Sequence, residues 1–131
     1  MKIFDEWNEV KKETQNEKIS VGFKKRDIFY IRMGQNIGFE QDGKGDKFVR
    51  PVVILKGFNK EMFFGIPLST QDKRGEFYYP FAFKKEDRLV KNIALLSQMR
   101  LFSTKRLLNK IGTMEKEDFE RMKTKFKGLI D

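Results

Sequence analysis

The chain has 131 residues, which is about the size of one domain. It contains neither Cys nor His, which excludes a disulfide framework, a thiolate zinc site and any mechanism that uses a histidine base. Catalysis would therefore have to use Arg, Lys, carboxylate, Tyr or hydroxyl side chains.

The positive charge is concentrated in the middle of the chain. The net charge is +9, and residues 21–114 hold 19 basic and 9 acidic side chains. A localised positive field attracts phosphate backbones, although many small lysine-rich proteins carry such charge only for solubility. No run approaches about 18 consecutive apolar residues, and the N-terminus lacks the apolar core of a signal peptide. We therefore expect a cytoplasmic protein.

The N-terminal residues are predicted to form one amphipathic helix of about three turns. Side chains repeat at helical spacing there, at Ile3, Trp7, Val10 and Thr14. A second amphipathic helix is predicted near the C-terminus, with one face formed by Phe119, Met122, Phe126 and Ile130. Both apolar stripes are typical of packing surfaces.

The segment between the helices is predicted to be β. Six short apolar or aromatic runs follow one another closely, at residues 26–33, 49–57, 61–69, 76–83, 92–96 and 110–114. The run at 49–57 is nearly all apolar and should be buried on both faces. Residues 58–60 predict a hairpin turn, and Pro80 indicates an edge or a bulge. Closely spaced strands of this kind favour a small barrel over an open sheet.

Three connecting segments have their own predictions. Ser103 is a candidate N-cap for a short helix over 104–110 that ends near Gly112. Residues 34–47 include four glycines and are predicted to form a long surface loop. Residues 70–75 are predicted to form a second loop.

Four motifs occur in an order that resembles the MazF/PemK toxin family. They are Gly-x-Glu-Gln at 38–41, Arg-Pro-Val-Val-Ile-Leu at 50–55, Pro-Leu-Ser at 67–69 and Leu-x-Gln-x-Arg at 96–100. The resemblance runs from about Lys25 to Ile130, so residues 21–131 are expected to be the toxin-like domain and residues 1–20 a helical extension. It implies a mainly β fold with some α, a small SH3-like barrel of the CcdB/MazF/PemK type with an N-terminal and a C-terminal helix.

The resemblance also implies a function. Members of this family are expected to work as homodimers, to cleave single-stranded RNA without metal or cofactor, and to bind a cognate acidic antitoxin. The ribose 2′-OH attacks the adjacent phosphate, which leaves a 2′,3′-cyclic phosphate and a 5′-OH. A chain without His or Cys is compatible with such a metal-free site.

Site residues can be carried over by position. Arg50 matches the arginine before Pro-Val, and its planar fork can hold two phosphate oxygens. Ser69 matches the hydroxyl position after Pro-Leu, with Thr70 as the alternative if the register is shifted by one. A hydroxyl can donate to the scissile phosphate, or it can simply cap a turn.

Other positions are predicted to bind substrate. Gln98 and Arg100 match the family's Gln-x-Arg and belong either to the RNA site or to a dimer interface. Gln41 and Glu40 lie on the glycine-rich loop, which in the family borders the RNA groove. The aromatic residues Phe39, Phe58, Tyr78 and Tyr79 are candidates for base stacking.

The sequence departs from the family pattern at the position of the general base. PemK-like members carry an acid just before the glutamine, where this chain has Ser97, and Leu95 stands where they have Arg. Either Arg50 and Ser69 suffice, or activity is weak, or a loop carboxylate, Glu40 or Asp42, replaces the base. Two other functions stay open: a gyrase poison of the CcdB kind, whose Trp-Gly-Ile-like C-terminus this chain lacks, and an inactive RNA-binding barrel.

Overall fold

A curled antiparallel sheet forms the body of the protein in a computed structural model that describes residues 22–33 and 49–131. Its strands are β1 (Asp27–Arg32), β2 (Val49–Gly57), β3 (Met62–Ser69), β4 (Tyr78–Lys85), β5 (Arg88–Leu95), β6 (Arg100–Ser103) and β7 (Leu107–Thr113), and helix α1 (Lys116–Ile130) follows them. The strand order is β4-β5-β3-β2-β1-β7, and β6 pairs with the first half of β3. The predicted N-terminal helix and the loop at 34–47 lie outside the described residues.

The two ends of this sheet, β4 and β7, approach each other without pairing. A Cβ at Gly112 of β7 would lie 2.6 Å from the Phe83 ring and 3.0 Å from the Lys84 carbonyl oxygen, so only glycine permits this approach. Lys85 Nζ donates a hydrogen bond of 2.8 Å to the Tyr30 hydroxyl, which connects β4 to β1. The sheet is therefore a half-barrel, which confirms the predicted mainly β fold with a small barrel.

Apolar side chains are buried on both faces of the central strands. One face, here called the helix face, packs against Phe119 and Met122 of α1. The opposite face, here called the Phe63 face, holds a second buried cluster of Phe29, Ile31, Val52, Ile54, Phe63, Phe102 and Leu107. Residues 52–54 of β2 are consecutive and fully buried, which confirms the predicted burial of this strand on both faces.

The region after β5 differs from the prediction. The expected helix over 104–110 is wrong: Thr104–Arg106 forms one 3₁₀ turn, and Leu107 begins β7. Leu107 is buried opposite Ile31 on β1, and this packing outweighs the helix propensity of the segment. Ser103 does cap the turn, since its Oγ accepts a hydrogen bond from the Lys105 N–H.

Helix α1 is confirmed, with one change in its packing face. Phe119 and Met122 are buried, and Phe126 and Leu129 pack beside them. Ile130 is 70% exposed, so its prediction as a packing residue was wrong. No helix among the described residues is long and apolar enough to cross a membrane.

Candidate functional site

The central strands β2 and β3 separate close to two prolines. Their pairing ends at Val52 and Pro67, and the residue before Val52 is Pro51. Proline has no N–H and cannot donate to a ladder. Beyond this point β2 continues to pair with β1 as far as Val49, whereas β3 pairs with β5 through Ser69. The ends of β2 and β3 therefore diverge, and the space between these two strand ends is called the β2–β3 gap.

Arg50 lies on the β2 side of this gap, and Ser69 lies on the β3 side. If the β2–β3 register is continued by two residues beyond Val52 and Pro67, Arg50 stands opposite Ser69. Since Arg50 is the partner of buried Ile31, its side chain leaves the sheet on the Phe63 face. Ser69 lies two residues beyond Pro67, so it shares that face. The catalytic roles that the sequence assigns to these two residues stay predictions.

Both side chains retain binding capacity. Arg50 is exposed, and no carboxylate among the described residues lies within ion-pair distance of it. Ser69 Oγ accepts a hydrogen bond of 3.0 Å from the Gln71 N–H, which is the turn-capping role that the sequence also suggested. A hydroxyl has one hydrogen and two lone pairs, so the Ser69 proton is still available to a ligand. Thr70 follows in an exposed bend past the strand end.

Arg100 projects from the same face. Its Cα partner on β3 is Gly65, and side chains at 65, 67 and 69 of a strand point the same way. Arg100 is exposed and separated from Ser69 by about 13 Å along β3. Gln98 is exposed in the 3₁₀ turn Leu96–Gln98 that leads into β6. Glu40, Gln41 and Asp42 lie outside the described residues, and their roles stay predictions.

Two further arginines lie at the same end of the sheet. Arg32 is the β1 partner of Val49, the residue next to Arg50. Arg106 donates a hydrogen bond of 3.2 Å to the Arg32 carbonyl oxygen. Arg32 follows Ile31, so its side chain lies on the helix face, whereas Arg106 adds positive charge near the end of β1, which favours binding of a polyanion.

Phe102 and Gly65 organise the surroundings of Arg100, and neither was predicted from the sequence as a site residue. The Arg100 guanidinium carbon lies 4.8 Å from the centroid of the Phe102 ring. A Cβ at Gly65 would lie 2.7 Å from Val52 and 2.9 Å from the Phe63 ring, so glycine leaves room for the rings. The alternation Arg100-Leu101-Phe102 was the available signal, but β6 itself was not predicted.

The position of the family's acid carries no charge here. Ser97 is exposed in the 3₁₀ turn, and Leu95 is buried with 3% of its surface exposed. Among the described residues, no group of three carboxylates is placed to hold a metal ion.

Tyr79 belongs to the helix face and not to this site. Its hydroxyl donates a hydrogen bond of 2.7 Å to Asp118 Oδ1, which connects β4 to α1. Burial, followed by this hydrogen bond, raises the pKa of Tyr79 above its ordinary value. The ring also stacks on Phe81, so Tyr79 has a structural role, and its candidacy for base stacking stays a prediction. Phe58 is 60% exposed, and Phe39 lies outside the described residues.

Comparisons with known proteins agree with this fold. Residues 24–130 match the family model described as PemK-like, MazF-like toxin of type II toxin-antitoxin system. No curated protein sequence matches the chain.

Solved structures share the fold at low sequence identity. The structure of MazF from Deinococcus radiodurans has a TM-score of 0.64 and 14% identity, covering 86% of this chain and 98% of its own. Mycobacterium tuberculosis toxin MazF-mt6 has a TM-score of 0.59 and 12% identity, with coverage of 81% and 97%. An endoribonuclease in complex with its cognate antitoxin, from a mycobacterial species, has a TM-score of 0.60 and 10% identity, with coverage of 83% and 95%. With the family model matching most of its length, the chain belongs to the PemK-like, MazF-like toxins of type II toxin–antitoxin systems.

Proposed function

We propose that the protein is a metal-independent endoribonuclease that cleaves single-stranded RNA in the cytoplasm. The observation that carries this proposal is the position of Arg50 and Ser69 on opposite sides of the β2–β3 gap and on one face of the sheet. A phosphodiester placed between them would meet a bidentate cation on one side and a hydroxyl donor on the other.

The chemistry proposed for this site needs few protein groups. The ribose 2′-oxygen forms a bond to phosphorus, the bond from phosphorus to the 5′-oxygen breaks, and the proton lost by the 2′-OH is matched by one gained at the 5′-oxygen. Arg50 would stabilise the charge that develops on the phosphorane oxygens, and Ser69 would donate to one of them. Glu40 or Asp42 is the candidate base, because Ser97 replaces the family's acid.

The partners follow from the same surface. Arg50 and Arg100 on the Phe63 face, with Arg106 near the end of β1, favour RNA and also an acidic antitoxin segment laid across them. A related structure contains an endoribonuclease with its cognate antitoxin, which supports a partner of this kind. We propose a homodimer whose two positive surfaces face a shared groove.

The test incubates the purified protein with a long single-stranded RNA in excess EDTA, beside a DNA gyrase supercoiling assay. Cleavage of RNA without loss of gyrase activity supports the endoribonuclease. Inhibition of gyrase with intact RNA would identify a CcdB-like poison. Binding of RNA without cleavage would identify an inactive barrel.

A further inference from the structure

Arg100 stands at the end of a stack of aromatic rings. The Phe63 and Phe102 rings are stacked, 5.6 Å apart with an interplanar angle of 27°, and the Phe23 ring lies 5.6 Å from Phe63 at a tilt of 48°. The Arg100 guanidinium carbon lies over the Phe102 ring, 4.8 Å from its centroid. Phe63 and Phe102 are almost fully buried, whereas Arg100 is exposed, so the stack rises from the core and ends at the surface.

The base of this stack is held rigidly. A Cβ at Gly65 would lie within 3.2 Å of Val52, Phe63 and Phe102, which shows that the rings fill the space above the glycine. Because Gly65 is the Cα partner of Arg100, no neighbouring side chain from β3 separates the guanidinium from the rings. An exposed arginine normally samples many rotamers, but this one rests on a fixed aromatic surface.

We infer that Arg100 offers its outer guanidinium plane as a stacking platform for one base of bound RNA. Arginine planes and aromatic rings are the surfaces on which unpaired bases stack in RNA complexes. Arg100 shares its face with Arg50 and Ser69 and lies about 13 Å from Ser69 along β3. The stacked base therefore belongs to a nucleotide near the reacting phosphate but not at it. This inference rests on the proposed endoribonuclease function and names one of its subsites.

The alternative role for an exposed arginine is contact with a phosphate, and the two roles differ in measurable ways. A phosphate contact in single-stranded RNA contributes about 0.7 to the slope of log affinity against log salt, whatever the base. A stacking contact depends on the presence of the base and on the flat guanidinium. Lysine keeps the charge but lacks the plane, so Arg100→Lys separates the roles.

The experiment measures binding of 2′-fluoro RNA oligonucleotides, which lack the attacking hydroxyl and cannot be cleaved by the proposed route. In a series, each nucleotide in turn is replaced by an abasic residue. For the unchanged protein we expect one abasic position to weaken binding by about tenfold. Arg100→Lys should abolish the penalty at that position while leaving the salt slope unchanged. Phe102→Leu, checked for retained folding by its melting curve, should reduce the same penalty because it removes the ring beneath the guanidinium.

The control is Arg88→Lys. Arg88 is exposed at the far end of β5, beside the hairpin, and should leave the abasic penalty intact. The inference is overturned if Arg100→Lys keeps the penalty, or if Arg100→Ala changes the salt slope by about 0.7 without affecting base dependence. If the unchanged protein cleaves RNA but shows no abasic penalty that depends on Arg100, the stacking inference fails while the endoribonuclease stands. If it neither binds nor cleaves RNA, both fail.

Discussion

Arg50 on β2 and Ser69 on β3 occupy matching positions two residues beyond the last pair of the ladder that joins their strands. Pro51 and Pro67 lie at the end of that ladder, and each strand then continues with a different neighbour. Backbone geometry thus brings a cation and a hydroxyl to the edges of one gap.

The first prediction concerns Arg50. Arg50→Ala should raise the barrier to RNA cleavage by about 2.7–4 kcal/mol, as expected for the loss of one donor to a developing oxyanion. Arg50→Lys should restore little activity, because lysine cannot bind two phosphate oxygens in one plane. Single-turnover cleavage rates give the comparison, with Arg74→Ala as the control, since Arg74 is 84% exposed in the loop before β4. Full activity in the Arg50→Ala protein would place the site elsewhere.

The second prediction separates the two roles of the Ser69 hydroxyl. Ser69→Thr should retain most activity, because threonine keeps the hydroxyl and suits a strand. Ser69→Ala should slow cleavage by about a hundredfold and also remove the hydrogen bond to Gln71. Thr70→Ala is the matched control and should cleave at nearly the normal rate. If Thr70→Ala were the slower variant, the register that assigns Ser69 would be wrong.

The strand that carries Arg50 could be predicted from the sequence, for a physical reason. The motif Arg-Pro followed by an apolar run predicts a buried strand that begins beside a loop, and β2 has the predicted bounds Val49–Gly57. The N-terminal half of β5 was missed because Arg88 and Lys91 make it look like a surface loop, although pairing with β4 keeps it extended. The support beneath Arg100 depends on Phe63 and Gly65. Both are distant from Arg100 in sequence and approach it only because β3 pairs with β6.

The third prediction concerns glycine packing. Gly65→Ala should lower the free energy of unfolding by about 1–3 kcal/mol, because its Cβ would lie 2.7 Å from Val52 Cγ1 in a filled core. Gly128→Ala in α1 is the contrasting variant. Nothing lies within 4 Å of its Cβ position, and alanine favours the helix by up to about 1 kcal/mol. Urea unfolding of both variants measures whether their changes in the free energy of unfolding have opposite signs. Equal changes would show that Gly65 is not crowded.

The fourth prediction concerns Tyr79 and alkaline pH. The folded state raises the pKa of Tyr79, so it holds the phenol proton more tightly than the unfolded chain does. This contribution to stability is present below the unfolded pKa of about 10 and is lost as the pH rises through the folded pKa. At neutral pH, Tyr79→Phe should cost about 1 kcal/mol through loss of the hydrogen bond to Asp118.

The difference in free energy of unfolding between Tyr79→Phe and the unchanged protein should therefore narrow as the pH rises above about 10. Chemical denaturation across this range measures it. Tyr78→Phe serves as the control, because the Tyr78 hydroxyl has no carboxylate partner among the described residues. A difference that widens with pH would show that the sign of the pKa shift is wrong.

The fifth prediction concerns assembly. If two copies pair about a two-fold axis and share one groove, light scattering at micromolar concentration and moderate salt should give about twice the chain mass of 15.6 kDa. Raising the salt concentration should not dissociate the dimer if its interface excludes the excess positive charge. A monomer that still cleaves RNA would contradict the shared groove.

The chemical nature of the cleaved ends tests the endoribonuclease account most directly. A single-stranded RNA is incubated with the protein in excess EDTA, and the fragments are examined by mass spectrometry, beside an otherwise identical oligonucleotide with 2′-deoxy residues throughout. The account predicts fragments that end in 2′,3′-cyclic phosphate and begin with 5′-OH, and no cleavage of the 2′-deoxy strand. Fragments with 5′-phosphate, cleavage of the 2′-deoxy strand, or a strict requirement for magnesium would contradict it.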